Sequence, residues 1–96
     1  MPIELPEWAL SHLRGITEAE VRQVLDAKKR RVWPVLGGDP RVRAIIGRTT
    51  AGRVLLVGIR ELAPFDAIMI GARELTTEEL AEYTEWEARA DEPYEG

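Results

Sequence analysis

The 96-residue sequence has no cysteine, a single histidine and only six aromatic residues. Without cysteine, neither a disulfide framework nor a thiolate metal site can form. Its longest apolar stretches, VLLVGI and AIMIGA, are far too short to cross a bilayer. The amino terminus lacks a basic segment followed by an apolar one, so no signal peptide is predicted. We therefore expect a cytoplasmic protein without membrane contact.

Motifs of several common enzyme classes are also missing. The sequence has no GxxxxGK[ST] phosphate loop, no HExxH zinc motif and no GxSxG nucleophile elbow. Its one histidine, His12, lies near a predicted apolar face and is interpreted as structural, since a local hydrogen bond can satisfy it. The sequence therefore predicts no metal site and no cofactor.

The charged residues, in contrast, are strongly segregated. Residues 28–60 contain nine basic residues and one acidic residue, whereas residues 76–96 contain eight acidic residues and one basic residue. Segregated charge bears on binding partners more than on fold. We predict a single domain over residues 1–90 and an acidic flexible tail over residues 91–96. Two arrangements of the acidic end stay open. It packs near the basic middle, in the same chain or in a second copy, or the last helix exposes its glutamates while Leu80, Tyr83 and Trp86 hold it to the core; the second is preferred, because exposed charge pairs contribute only about 0–1 kcal/mol each.

Three helices are predicted. The first follows Pro6 and ends at Gly15. The second occupies residues 16–31 and the third residues 75–90, and each opens with a capping box of Thr and Glu three residues apart. The residues expected to share apolar faces are Leu5, Trp8, Ala9, His12 and Leu13 in the first helix, Val21, Val24 and Leu25 in the second, and Leu80, Tyr83 and Trp86 in the third.

Runs rich in Val and Ile predict strands over residues 41–48, 53–60 and 66–73. A weaker strand over 32–36 contains Pro34, which places it at a sheet edge. Short connections, including the loop TTAG with Gly52, indicate an antiparallel meander. The predicted class is α+β: two amino-terminal helices, a three- to four-stranded antiparallel meander sheet and a carboxy-terminal helix.

Three arginines flank the predicted turns. Arg48 ends one strand, Arg53 begins the next, and Arg73 ends a third. In a meander these positions share one edge of the sheet, so the three guanidinium groups are predicted to converge on one anion, a phosphate or a carboxylate. The alternative is that each arginine pairs with a nearby carboxylate, such as Glu74 or a glutamate of the last helix.

Three blocks of the sequence, EWALSHLRGITEAEVRQVL, IGRTTAGRVLLV and ARELTTEELAEYTEW, resemble successive blocks of the BrnT family. Those proteins are small toxins of type II toxin–antitoxin systems, related in fold to the RelE toxins. The resemblance implies a ribonuclease that blocks translation and is inhibited by a cognate antitoxin. By position it implies catalytic roles for Arg53, Arg73 and Tyr83, with RNA bound by Arg48, Arg53 and Arg73.

Two other interpretations remain open from the sequence. In the first, the chain is a non-catalytic protein-interaction module that keeps the toxin fold. In the second, it is a small structural protein that self-associates as a homo-oligomer. If the chain is an enzyme, it is a metal-independent endoribonuclease in which fixed cations stabilise charge on phosphorus. Arginine does not lose its proton, so either a Glu, His or Tyr is the general base or proton transfer is only weakly assisted.

Overall fold

The computed structural model describes residues 3–27, 30–34, 41–64 and 66–90. The predicted tail, residues 91–96, lies outside the described residues, as do Lys28 and Lys29. The α+β class, with two helices before the main sheet and one after it, is confirmed. The elements along the described chain are β1 (Ile3–Glu4), α1 (Glu7–Leu10), α2 (Glu18–Asp26), β2 (Arg30–Pro34), β3 (Val42–Arg48), β4 (Val54–Ala63), β5 (Asp66–Glu74) and α3 (Thr77–Ala90).

The strands form one sheet in the order β1-β5-β4-β3-β2. Strands β2 to β5 make the predicted antiparallel meander. The prediction of a purely antiparallel sheet of three or four strands was wrong, because β1 adds a fifth strand parallel to β5, with Ile3 opposite Ala67. Two residues are too few to show an alternating pattern, so β1 gave no signal in the sequence.

The second helix is shorter than predicted. It ends at Asp26, and Ala27 has an extended backbone (φ −63°, ψ 138°). Strand β2 begins at Arg30, which lies opposite Gly47 of β3. Pairing with β3 thus replaces the last predicted helical turn, as tertiary contacts commonly override local propensity. Strand β2 is at the sheet edge, as its proline predicted; the end of the predicted strand and the GGDP turn lie outside the described residues.

One side of the sheet, which we call the α2 face, carries α1 and α2. Gly47 allows the close approach of α2, because a Cβ at that position would lie 3.3 Å from a methyl carbon of Val24. The apolar cluster here is close-packed and largely inaccessible to water. Its members include Leu5, Ala9, Ile16, Val21, Val24, Leu25, Ile45, Leu55, Val57, Ile59, Ala67 and Met69.

The apolar face predicted for the first helix is only partly buried. Leu5 and Ala9 are buried, whereas Trp8 is 54% exposed and His12 is exposed. The prediction was wrong for both. His12 lies beyond the end of α1 at Leu10, where the helical stripe stops, whereas Trp8 lies within α1 on its exposed side. His12 instead contacts the carbonyl of Trp8 and the hydroxyl of Ser11, in keeping with a structural role.

The opposite side of the sheet, the α3 face, carries α3. Ile46 and Tyr83 are completely buried there, whereas Leu80 is 41% exposed. The predicted apolar stripe of the last helix therefore contacts the sheet through its middle and not through its first turn. Within the described residues, every helix is too short or too polar to serve as a membrane span.

Candidate functional site

The hairpin between β3 and β4 brings Arg48 and Arg53 to one edge of the sheet. Its loop is closed by a hydrogen bond of 2.8 Å from the Thr49 amide to the Arg53 carbonyl, and Gly52 adopts the left-handed conformation (φ 91°). In this register Arg48 lies opposite Val54, not opposite Arg53. The two arginines therefore avoid the direct cross-strand placement in which like charges are unfavourable.

Arg48 points to the α3 face and is bound by Glu87 in a bidentate pair. Its Nε lies 2.8 Å from one carboxylate oxygen, and its Nη2 lies 2.9 Å from the other. Its Nη1 donates to the Gly52 carbonyl at 2.8 Å. The hydrogen bonds that Arg48 donates to Glu87 raise the pKa of Arg48, and its side chain is 39% exposed. The hairpin is thus tied to the last helix through one charged side chain.

Arg53 points to the α2 face and joins three distant segments. Its Nη1 donates to the Gly15 carbonyl at 2.6 Å and lies 3.2 Å from a carboxylate oxygen of Glu20, while its Nη2 binds Glu74. These contacts with Glu74 and then Glu20 raise the pKa of Arg53. The pKa of Glu20 is lowered, first by the Thr17 amide and further by Arg53. The guanidinium group therefore has a carboxylate on each side.

Arg73 is bound by Glu79 at the start of α3. The two pairs of nitrogen and oxygen atoms lie 2.7 and 2.9 Å apart. Glu79 also completes the predicted capping box, accepting from the Thr76 amide at 2.9 Å. Arg73, and then the Thr76 amide, lower the pKa of Glu79 to about 2. The carboxylate stays ionised and occupies the place that a phosphate would take beside Arg73.

Tyr83 lies inside the protein, between α3 and the sheet. Its ring centre is 5.5 Å from that of Trp86, and the guanidinium carbon of Arg48 lies 6.0 Å from the ring centre. Its side chain is completely buried, and this burial raises the pKa of its hydroxyl. An RNA phosphate could reach Tyr83 only after α3 had moved, so its catalytic role stays a prediction.

The predicted cluster of three arginines is split between two depressions. A cavity of about 360 Å³ at the hairpin edge includes Arg48, Arg53 and Glu74 in its lining. Arg73 lines a separate cavity of about 290 Å³ on the α3 face, beside Leu56. The prediction that all three arginines converge on one anion was therefore wrong, and only the pair Arg48 and Arg53 shares a cavity.

A β-bulge in β5 is the physical reason for this split. Met69 lies opposite Ile59, but Gly71 lies opposite Gly58, so one residue of β5 has no partner at this step. The extra residue reverses the alternation of side chains beyond it. Ala72 consequently packs against the core of the α2 face, Glu74 follows on that side, and Arg73 is turned to the α3 face.

Two charged features were missed from the sequence. Glu20 was recognised as the partner of Thr17 in the capping box, yet it also binds Arg53, 33 residues away. Arg31 stacks on Trp33 and Trp86, with its guanidinium carbon 4.9 and 5.9 Å from the ring centres. The sequence marked only Glu20, as an acidic residue near a helix start, and this did not indicate its contact with Arg53. No sequence pattern indicated the stacking of Arg31.

A larger cavity, of about 440 Å³, lies elsewhere, between α2 and strands β2 and β3. Its lining includes Arg30 and Arg43 over an apolar floor of Leu25, Val32 and Ile45. None of the predicted site residues lines it. Among the described residues no group of three or more acidic or histidine side chains could hold a metal ion. The chemistry available at the hairpin edge is thus that of arginine and carboxylate.

The chain was compared with known proteins in three ways. No protein-family model, no curated protein and no solved structure matches it.

Proposed function

We propose that the chain is the toxin component of a type II toxin–antitoxin pair, a metal-independent endoribonuclease that blocks translation in the cytoplasm. The observation that carries this proposal is the hairpin-edge cavity shared by Arg48 and Arg53. Two arginines beside one cavity can both contact a phosphate backbone, and arginine binds phosphate in a bidentate manner.

The ion pairs of these arginines are compatible with RNA binding. Arg48 and Arg53 are 39% and 31% exposed, and their carboxylate partners lie at the surface or partly buried. Ion pairs at such positions contribute only about 0–1 kcal/mol each. A phosphate group can therefore replace Glu87 or Glu74 at small cost, and the carboxylates hold the guanidinium groups in place until it does.

Catalysis in this proposal depends on Arg53. Attack of the 2′-oxygen on phosphorus builds negative charge on the phosphoryl oxygens, and a cation held in position lowers that barrier. Contacts to Gly15, Glu20 and Glu74 hold the Arg53 side chain from three segments. A side chain fixed in this way needs little reorganisation when the transition state forms.

A cognate antitoxin is the proposed partner. The arginines of the site already accept carboxylates from their own chain, so acidic side chains of a partner protein fit the same positions. Such a partner would cover the hairpin edge and exclude RNA. Binding of both ligands to one surface accounts for inhibition without any change in the fold.

The test combines growth and cleavage. Expression of the wild-type chain alone should arrest growth, and Arg53→Ala should relieve the arrest, with Arg73→Ala relieving it less. In vitro, Arg53→Ala should lower cleavage of a mixed-sequence single-stranded RNA about 10²-fold. Arg22→Ala is the control, because Arg22 is an exposed arginine paired with Glu18 away from the site. The same oligonucleotide with 2′-deoxyribose throughout should not be cut.

The second candidate is a non-catalytic interaction module with the same fold. A separate observation favours this candidate. Glu79 binds Arg73 in a bidentate ion pair, and the side chain of Tyr83 is completely buried. Arg53 is bound by Glu20 and Glu74, so all three predicted catalytic residues are engaged within the chain. Normal growth during strong expression of soluble wild-type chain, together with no cleavage of RNA, would favour this module over the toxin.

A further inference from the structure

The two carboxylates that flank Arg53 occupy different environments. Glu20 binds the Nη1 side of the guanidinium group and Glu74 binds the Nη2 side. The side chain of Glu20 is 23% exposed, whereas that of Glu74 is 65% exposed. Only Glu74 lines the hairpin-edge cavity that also contains Arg48. Arg53 is therefore bound by one carboxylate that is mostly buried and by another that faces an open cavity.

The carboxylate of Glu20 also binds the start of α2. Its carboxylate accepts from the Thr17 amide at 3.0 Å and from the Thr17 hydroxyl at 3.3 Å, in addition to Arg53. Removing it would leave the first turn of α2 without its capping box. A carboxylate with this many donors is a positioning group for Arg53 and has little capacity left to accept another proton.

Among the described residues, the Glu74 carboxylate has no comparable set of hydrogen-bond donors. It is the last residue of β5, at the end of the strand that lies beside the hairpin, and it forms an ion pair with Arg53. The bulge in β5 turns it to the same side as Arg53, so its position follows from the fold and not from a flexible loop. A carboxylate beside a cation, open to an adjacent cavity, is the arrangement needed for proton abstraction next to a bound phosphate.

We propose that Glu74 is the general base of the ribonuclease reaction. This inference rests on the proposed function. The carboxylate of Glu74 takes the proton of the RNA 2′-hydroxyl while the 2′-oxygen forms a bond to phosphorus. The bond from phosphorus to the 5′-oxygen breaks, and the leaving 5′-oxygen takes a proton from water. The products are a 2′,3′-cyclic phosphate and a free 5′-hydroxyl, and Arg53 stabilises the charge on the phosphoryl oxygens.

Other candidates for the base are less suitable. Tyr83 is buried and the pKa of its hydroxyl is raised. Glu79 is held by Arg73 with its pKa lowered to about 2, which makes it a poor proton acceptor. Glu87 has both carboxylate oxygens occupied by Arg48. Glu74 is the carboxylate that combines contact with Arg53 and access to the cavity.

The experiment compares Glu74→Gln with Glu20→Gln in the full chain. Each variant removes one carboxylate from Arg53 and keeps an amide oxygen that can accept its hydrogen bond. We expect Glu74→Gln to lower the cleavage rate of a mixed-sequence single-stranded RNA about 10²-fold or more. Affinity for a non-cleavable 2′-deoxy oligonucleotide should stay equal or rise, since a negative charge is removed. Glu20→Gln, which weakens the positioning of Arg53, should lower the rate less than Glu74→Gln does, and Glu74→Asp should recover part of the rate.

Three results would overturn the inference. Full cleavage by folded Glu74→Gln would show that the base is another group. Parallel loss of cleavage and affinity in that variant would show that Glu74 only positions Arg53. A wild-type chain that binds the oligonucleotide but cuts no RNA would overturn the proposed function itself, and the assignment of Glu74 with it. The first two outcomes leave the ribonuclease proposal intact, so the two failures are distinguishable.

Discussion

The two faces of the sheet are stabilised in different ways. On the α2 face, Val21, Val24 and Leu55 are completely buried in a continuous apolar cluster. On the α3 face, Tyr83 is the fully buried residue of the helix, and the rest of the attachment includes the ion pairs of Glu79 and Glu87. Apolar burial is insensitive to salt and pH, whereas exposed ion pairs respond to both. One face therefore secures the fold, and the other can respond to conditions and to charged ligands.

The largest expected effect comes from adjacent residues on opposite faces. Leu55 is completely buried on the α2 face, and Leu56 is half-buried on the α3 face. Leu55→Ala should lower the free energy of unfolding by about 2–5 kcal/mol, because it leaves a cavity in a packed core. Leu56→Ala should lower it by about 1 kcal/mol or less. Urea unfolding followed by circular dichroism measures both, and equal losses would contradict the distinction between the faces.

A smaller effect is expected from acid on the α3 face. Glu79 has a folded pKa of about 2, below its ordinary value of 4.5. A lowered folded pKa contributes stability above the unfolded pKa, and that stability is lost as the pH falls from about 4.5 to about 2. For a pair in which Arg73 is 52% exposed, the contribution is about 1 kcal/mol after solvent screening.

Amide exchange across α3 measures this dependence. Protection of α3 should fall over that pH interval while protection of α2 changes less. In Glu79→Gln the dependence should be reduced, and Glu78→Gln, at an exposed neighbouring position, serves as the control. Equal loss of protection in α2 and α3 would show that the whole domain, and not one face, responds to acid.

The ion pair of Arg48 offers a third test, on binding. Glu87→Gln removes the carboxylate that occupies Arg48, so affinity for a 2′-deoxy oligonucleotide at low salt should rise severalfold. Glu85→Gln removes the same charge from an exposed position paired with Arg89. Titrations by fluorescence anisotropy compare the two. An equal rise in both variants would indicate net charge alone and not release of Arg48.

The smallest effect is expected from removing residues 91–96. This truncation deletes Asp91, Glu92 and Glu95, yet the arginines at the site already bind glutamates of α3 and of the sheet. Oligonucleotide affinity at low salt should change by about twofold or less, because the carboxylates bound to Arg48 and Arg53 stay in place after the truncation. A large rise in affinity would assign the masking of the site to the tail.

Local sequence patterns predicted the elements that depend on local contacts. Both capping boxes, at Thr17 and Thr76, and the hairpin with Gly52 involve residues within a few positions of one another. The site depends on contacts of long range. The bulge in β5 decides which way Arg73 and Glu74 point, and no residue pattern marked it. Alternation without the bulge would have placed Arg73 on the α2 face, with Met69.

The acidic end of the chain also shows the difference between what local patterns predict and what depends on long-range contacts. The charge pattern left open whether its glutamates pack near the basic strands or are simply exposed. The pairs of Glu79 with Arg73 and Glu87 with Arg48 show the packed arrangement for α3 within its own chain. The tail itself lies outside the described residues. Which glutamates form the pairs could not be read from sequence, because it depends on how far along the sheet the helix sits. That position is set by Tyr83 and its buried contacts.

The contacts of Arg53 have a consequence for the order of folding. This side chain meets Gly15, Glu20 and Glu74, which are 38, 33 and 21 residues away. Contacts across such loops form late, after the loop-closure entropy has been overcome by the core. During synthesis the arrangement cannot form until β5 has left the ribosome, although the hairpin that bears Arg53 is complete at Ala63, about eleven residues earlier. Any chemistry at the hairpin edge therefore begins only in the finished domain, and a truncated chain that retains Arg53 but lacks β5 has no assembled site.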